Sequence, residues 1–167
     1  MMSQGVTIRL AETADAEAIY DGLVAMARAM GQGAKIASTA NDIRRHGFGD
    51  DPAFEVLIAE VGGVFAGLCL SFPSFSTWRG ERGVYVQDLY VDESFRGRHI
   101  GEALLKSAAR RGRERGAGYL RLSVDVTNTR AEAFYERLGI THSRDEQIHM
   151  IKGEAFRAFA ASATDQP

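Results

Sequence analysis

Tyr85-Val86-Gln87-Asp88-Leu89-Tyr90-Val91-Asp92-Glu93-Ser94-Phe95-Arg96-Gly97-Arg98-His99-Ile100-Gly101-Glu102-Ala103-Leu104-Leu105 is the stretch whose reading decides the fold. An apolar, strand-like run enters a short loop that carries Arg96, Arg98 and Gly97, and the loop opens into an amphipathic helix. Backbone N–H groups at a helix start have no intrahelical acceptor and sit at the positive end of the helix dipole. Glycine lets the backbone approach an anion, and arginine adds charge and forked donors. The segment by itself predicts a site for a phosphorylated ligand. It contains no Gly-x4-Gly-Lys-[Ser/Thr] and no Gly-x-Gly-x-x-Gly after a strand, which argues against a P-loop nucleotidase and a Rossmann dinucleotide site.

Outward from this core, the pattern predicts eleven elements. Val6 to Leu10 alternates as a first strand, and a helix capped by Thr13 runs to about Met30 before Gly31-Gln32-Gly33. A short helix follows over Thr39 to His46. Strands over Phe54 to Glu60 and Val64 to Phe72 are joined through Gly62-Gly63, with Pro73 expected to end the second. Gly83 to Val91 is a long strand and Ile100 to Arg115 a helix. Tyr119 to Val126 reads as a strand, Arg130 to Leu138 as a helix, Gln147 to Ile151 as a last strand, and Glu154 to Ala160 as a last helix. This order indicates an α/β domain with a mixed sheet.

The 167 residues suit one domain over 1–167, with 161–167 expected to be a disordered tail. A hydrophobic fraction of 45% is enough to fold without staples, and a formal charge of −2 gives no reason to expect a nucleic-acid partner. The one cysteine, Cys69, excludes an intrachain disulfide framework. It lies in an apolar strand and reads as a buried, inert thiol. His46, His142 and His149 lack metal-ligand spacing, so no metal is expected. With no secretory leader and no apolar run of membrane-spanning length, the expectation is a cytoplasmic protein without a membrane partner.

The segment Arg96-Gly97-Arg98-His99-Ile100-Gly101 resembles motif A of the GNAT superfamily of acyl-CoA-dependent N-acetyltransferases, an apolar strand followed by [Arg/Gln]-x-x-Gly-x-[Gly/Ala]. His99 departs from it, standing where the family usually has glycine; histidine is among the few other residues that tolerate positive φ. Asn128-Thr129-Arg130-Ala131-Glu132-Ala133-Phe134-Tyr135-Glu136-Arg137-Leu138-Gly139 resembles motif B of the same superfamily, in the expected order and spacing. The resemblance implies a mostly antiparallel sheet flanked by helices, with a splayed fifth strand opening a V-shaped cleft for acetyl-CoA. It assigns the backbone of Leu89, Tyr90 and Val91 to the pantetheine arm. Arg96, Gly97, Arg98, His99, Ile100, Gly101 and Glu102 would hold the pyrophosphate, mostly through backbone N–H groups. Asn128 would contact the cofactor, and it would equally serve as the cap of the helix that follows.

Tyr135 matches the tyrosine that protonates the leaving thiolate in many members. A reference pKa of about 10 for tyrosine against about 8.5 for a thiol makes that donation downhill only late in the reaction. Its plainer reading is a packing aromatic beside Phe134. Asp88 is a carboxylate inside an apolar strand, so it should be paired or functional. It would bind a cationic amine and help remove its proton, or else serve as the buried partner of an arginine. Arg110, Arg111, Arg113 and Arg115 near the helix end read as solvated.

Phe72 to Gly80, followed by Val84 to Val91, resembles the spermidine/spermine (diamine) acetyltransferase branch. That places Gln87 and Asp88 at the amine site with Trp78 near the acceptor cleft, and it implies a homodimer. Gln87 replaces an acid of that branch, and each charge of a polyamine needs a carboxylate to offset desolvation. A lysine-like amino acid or an aminoglycoside suits one carboxylate as well. The resulting expectation is acetyl transfer from acetyl-CoA to the primary amine of a small molecule, by direct attack in a ternary complex. A non-catalytic acyl-CoA-binding module and a protein N-acetyltransferase are the alternatives.

Overall fold

The computed structural model describes residues 5–163 and divides into two compact units that meet in sequence between Asp125 and Val126. The first unit holds a five-stranded sheet in the order β1-β2-β3-β4-β5. Its strands are β1 (Val6–Leu10), β2 (Glu55–Val61), β3 (Val64–Ser76), β4 (Glu81–Val91) and β5 (Ala117–Leu122). The first four are antiparallel neighbours and β5 is parallel to β4, which is the mixed, mostly antiparallel sheet expected.

Helices α1 (Ala16–Ala29) and α2 (Ala40–Gly47) belong to one sheet face, and α3 (Ile100–Glu114) packs against β1 to β5. Side-chain positions identify the faces. A methyl at Gly22 of α1 would meet Leu68 of β3 and Tyr90 of β4, whereas one at Gly112 of α3 would overlap Val84 of β4. Leu68 and Tyr90 therefore lie under α1, and Val84 under α3. Ile19, Ile43, Val56, Ile58, Leu68 and Leu70 form the α1-side core; full burial of each such side chain contributes roughly 1.5–3 kcal/mol.

Local chemistry accounts for the ends. Thr39 and Asp42 exchange hydrogen bonds as a capping box at the start of α2. Gly62 and Gly63, both at positive φ, make the tight β2–β3 turn. At α1 the cap position moves from the expected Thr13 to Asp15. Thr13 lies inside a 3-10 turn over Thr13–Asp15, and the Asp15 carboxylate accepts the Glu12 N–H at 2.7 Å. Asp15 can do this because Arg9 fixes its carboxylate, with guanidinium bonds of 2.8 and 2.9 Å.

Two expected boundaries are corrected. Pro73 does not end β3, which runs on to Ser76 with Pro73 paired to Val84. β2 pairs only as far as Ser71, so beyond it one edge of β3 carries no ladder and a residue without an N–H is tolerated. Gln147 to Ile151 forms no strand among the described residues. Its alternating Ile148 and Met150 are 71% and 75% exposed, so the alternation lacks the covered face that would turn it into a half-buried strand.

The second unit carries α4 (Thr129–Arg137) and α5 (Gly153–Ala161). Helix α5 includes the first residue of the expected tail; residues 164–167, like 1–4, lie outside the described residues. Among the described residues no helix is long and apolar enough to cross a membrane.

Candidate active site

After β4, Asp92 caps a 3-10 turn over Glu93–Phe95, and the chain then turns through two left-handed residues, Gly97 at φ 78° and His99 at φ 58°. Histidine does adopt the conformation that the family usually gives to glycine. The first helical bond of α3 runs from the Ala103 N–H to the His99 carbonyl, so the N–H groups of Ile100, Gly101 and Glu102 have no intrahelical acceptor. These donors and exposed Arg96, Gly97 and Arg98 suit a pyrophosphate. The Glu102 carboxylate, which would repel it, is occupied by Lys106 at 2.6 Å and by His99 at 3.3 Å. These partners, Lys106 first, hold its pKa below the usual carboxylate range.

The β4–β5 ladder ends at Val86 and Leu122, while β4 continues to Val91 paired only with β3. The other backbone edge of Leu89, Tyr90 and Val91 thus lacks a strand partner among the described residues. An amide-bearing arm such as pantetheine fits an open strand edge, so the residues present fit acetyl-CoA. One carbonyl there is already engaged, since Arg96 Nε donates to Val91 O at 3.3 Å.

Asp88 owes its position to a bulge. Leu70 pairs with Asp88, and the next residue, Ser71, pairs with Val86, so Gln87 is the extra residue of β4. Strict alternation from Val84 and Val86 would put Asp88 under α3. The inserted residue moves it to the α1 face, with Leu70 and Tyr90. Gln87 is exposed and Asp88 half-buried. No arginine pairs with Asp88 among the described residues, which removes the buried ion-pair reading. Desolvation alone pushes its carboxyl up to about 6. A carboxylate with that value is half ionised near pH 6 and largely ionised at neutrality, and so is suited to bind an ammonium and accept its proton.

Beyond Asp88 on the same face lies a wall that the sequence did not reveal. Phe72 stacks on Tyr85 with ring centroids 5.0 Å apart, and Tyr85 shares a 2.7 Å hydrogen bond with Ser123. The Arg121 guanidinium lies 5.8 Å from the Tyr85 ring centroid. Tyr119 covers Gly83, and its hydroxyl meets Ser74 Oγ at 3.1 Å. The alternation Tyr119, Arg121, Ser123 was available as a signal, but it points nowhere until the β4–β5 register is known. Trp78 stands in the β3–β4 turn and is 99% exposed. Six β3 positions separate the partners of that turn from the partner of Asp88, roughly 20 Å along the hairpin. The structure therefore does not bring the indole to the carboxylate.

Cys69 is fully buried, and burial, followed by the charge of Asp88, pushes its thiol up to about 12, as an inert thiol requires. Arg111 and Arg115 are not merely solvated. They bind Glu55 of β2 at 3.0 and 2.7 Å and tie α3 to the sheet.

In the second unit, Asn128 Oδ1 accepts from the Ala131 N–H at 3.1 Å and caps α4. Tyr135 lies about two turns further along, edge-on to Phe134 at 5.2 Å, and its carbonyl accepts the Ile140 N–H.

Residues 18–140 match the family model described as the acetyltransferase (GNAT) family. Thialysine N-epsilon-acetyltransferase of Bos taurus is 34% identical over 129 residues, 71% of this chain and 75% of that protein. L-ornithine N5-acetyltransferase of Arabidopsis thaliana is 28% identical over 95 residues, 57% of this chain and 42% of that protein. Among solved structures, an integron cassette protein of V. cholerae superposes with a TM-score of 0.80 at 22% identity, covering 97% of this chain and all of the other.

Proposed function

The chain belongs to the acetyltransferase (GNAT) family, and on that premise we propose that Asp88 and Tyr135 carry acetyl transfer from acetyl-CoA to the primary amine of a small molecule. The observation that carries the reading is Asp88: a half-buried carboxylate without an ion pair among the described residues, set by a bulge beside the open edge of β4. Its Oδ atoms hold the amine as an ammonium and take the proton that must leave before nitrogen can attack. Acetyl-CoA supplies a thioester-activated acetyl group. The open edge of Leu89, Tyr90 and Val91 and the N–H groups of Ile100, Gly101 and Glu102 hold its arm and pyrophosphate, with Arg96 and Arg98 adding charge. Asn128 adds a contact from the start of α4, and Tyr135 Oη delivers a proton to the departing sulfur.

The relatives' names favour small amines as acceptors, and Gln87 in place of a second acid favours an acceptor with one cation at this point. The family match crosses the boundary between the two units, which supports one N-acetyltransferase domain over the whole chain. A cytoplasmic homodimer completes the reading. Half or more of Ile148, Met150, Phe156 and Phe159 is exposed, and such apolar surface suits a second copy.

Thiol release from acetyl-CoA against polyamines, lysine analogues, aminoglycosides and basic peptides tests the reaction. Turnover with small amines that falls at least tenfold in Asp88→Asn is the expected result. Turnover restricted to peptides would replace it by a protein acetyltransferase. CoA binding without any release would replace it by a binding module.

A further inference from the structure

His99 stands at the cap position of α3 with a left-handed backbone, φ 58°. A side chain at that position ordinarily accepts hydrogen bonds from the first-turn N–H groups. The His99 ring makes no such bond. It turns to Glu102 instead, with Nδ1 3.3 Å from Oε2, while Lys106 Nζ holds the other carboxylate oxygen at 2.6 Å. The ring is otherwise open to solvent, 86% exposed. The charged groups that flank it are Glu102 and Lys106 on α3, Arg96 and Arg98 in the loop, and Asp92 and Glu93 in the turn before it. Of these, Arg96 donates to Val91 O at 3.3 Å, the Arg98 guanidinium lies 5.8 Å from the Phe95 ring centroid, and Asp92 accepts the Ser94 N–H.

Glu102 fixes the tautomer of the ring. Lys106 first, and His99 after it, hold the Glu102 pKa below the usual range, so the carboxylate is ionised at neutral pH and can only accept. Nδ1 therefore carries a hydrogen. In the neutral ring Nε2 is then bare and presents a lone pair, which repels an anion. Only the protonated ring donates from both nitrogens. Protonation thus turns Nε2 into a charged donor, next in the chain to the N–H groups of Ile100, Gly101 and Glu102 that have no intrahelical acceptor. A glycine at this place has no such dependence.

Resting on the reading that this loop holds the diphosphate of acetyl-CoA, we propose that the His99 imidazole is itself a cofactor-binding group and ties cofactor affinity to a proton. The diphosphate meets the protonated ring at Nε2, while Nδ1–H stays on Glu102. Binding and protonation then strengthen each other by the same factor. The proton comes from solvent as the cofactor arrives and returns to solvent as it leaves.

The test is calorimetric titration of the full chain with coenzyme A and with dephospho-coenzyme A, at about pH 5.5 and about pH 8. Dephospho-coenzyme A keeps the diphosphate and lacks the 3′-phosphate monoester, so the ligand's own titration drops out. His99→Asn keeps a residue that tolerates positive φ and removes the titrating ring. With both ligands, wild-type protein is expected to bind about tenfold more tightly than His99→Asn at the lower pH and within about twofold of it at the higher. Near neutrality, titrations in two buffers of different ionisation enthalpy are expected to show proton uptake by wild type beyond that of His99→Asn. An advantage equal at both pH values, or no advantage, would overturn the proposal while the cofactor reading stands. An advantage present with coenzyme A and absent with dephospho-coenzyme A would move the contact to the 3′-phosphate and overturn the diphosphate assignment. Coenzyme A that binds neither protein would overturn the cofactor reading, and this proposal with it.

Discussion

Asp88 lies directly across the ladder from Leu70, a residue that is 5% exposed, although its own neighbour on the hairpin side, Gln87, has no partner on β3. A carboxylate is thus held against the wall of an apolar core with its other side toward the open end of the sheet. Folding leaves this group costly to ionise and ready to meet a cation.

The cost can be read from stability. Because the folded-state pKa of Asp88, about 6, lies above its ordinary value, the folded chain binds the proton more tightly than the unfolded one. Stability then falls as pH rises through this window. Asp88→Asn should raise stability at pH 7.5 by roughly 1–3 kcal/mol and give no gain near pH 4. Urea melts at the two pH values check this, and an equal shift at both would refute the linkage.

The same group sets the activity profile. If Asp88 must be ionised to hold the amine, kcat/KM should rise about tenfold per pH unit below about pH 6 and level off above it, until other groups titrate. Asp88→Asn should abolish that limb and lower kcat/KM by about a hundredfold. A variant that kept the limb would assign it to another residue.

Tyr135→Phe should lower kcat by about tenfold to a hundredfold while CoA affinity changes less than about twofold, since one proton donor is lost and one ring is kept. Calorimetric CoA titration beside steady-state kinetics separates the two effects. Full turnover in the variant would leave Tyr135 with its packing role beside Phe134 alone.

Glu55 behaves oppositely to Asp88. Burial by itself would raise its pKa, but hydrogen bonds from Arg111 and Arg115 outweigh burial and hold it below the usual range. This contribution is fully present above the unfolded pKa and is lost as pH falls through the lower folded one. Glu55→Gln should cost about 1–2 kcal/mol at pH 7 and progressively less below about pH 4. An undiminished difference at pH 3 would point to packing instead of charge.

The loop before α3 gives a backbone test. His99 is the one described non-glycine residue at positive φ. His99→Gly should leave stability unchanged or raise it by up to about 1 kcal/mol, whereas His99→Val should lower it by about 1–2 kcal/mol. Thermal melts without ligand decide it, and a β-branched residue tolerated there would mean that the loop adopts another conformation.

Much of this was legible along the chain. The loop glycines, the Thr39 cap and the Gly62-Gly63 turn act within a few residues of themselves, so their signals are local. The misread boundaries depend on neighbours distant in sequence. Pro73 can continue a strand because β2 stops short of it, and Gln147 to Ile151 alternates without a covered face. Thr13 lost the cap because Asp15, fixed by Arg9 of another element, took the Glu12 N–H.

The site divides along the same line. Sequence by itself determined the α/β class, the arginine-glycine loop with its helix and the carboxylate in the strand, because each is a short-range pattern of residue types. Only the tertiary structure decided which way that carboxylate faces. Side chains alternate along a strand, and one unpaired residue, Gln87, inverts the alternation for everything after it. That inversion sets Asp88 in line with Phe72, Tyr85 and Arg121, three residues from three strands. A bulge is a property of two strands in register, and register forms only when the sheet does.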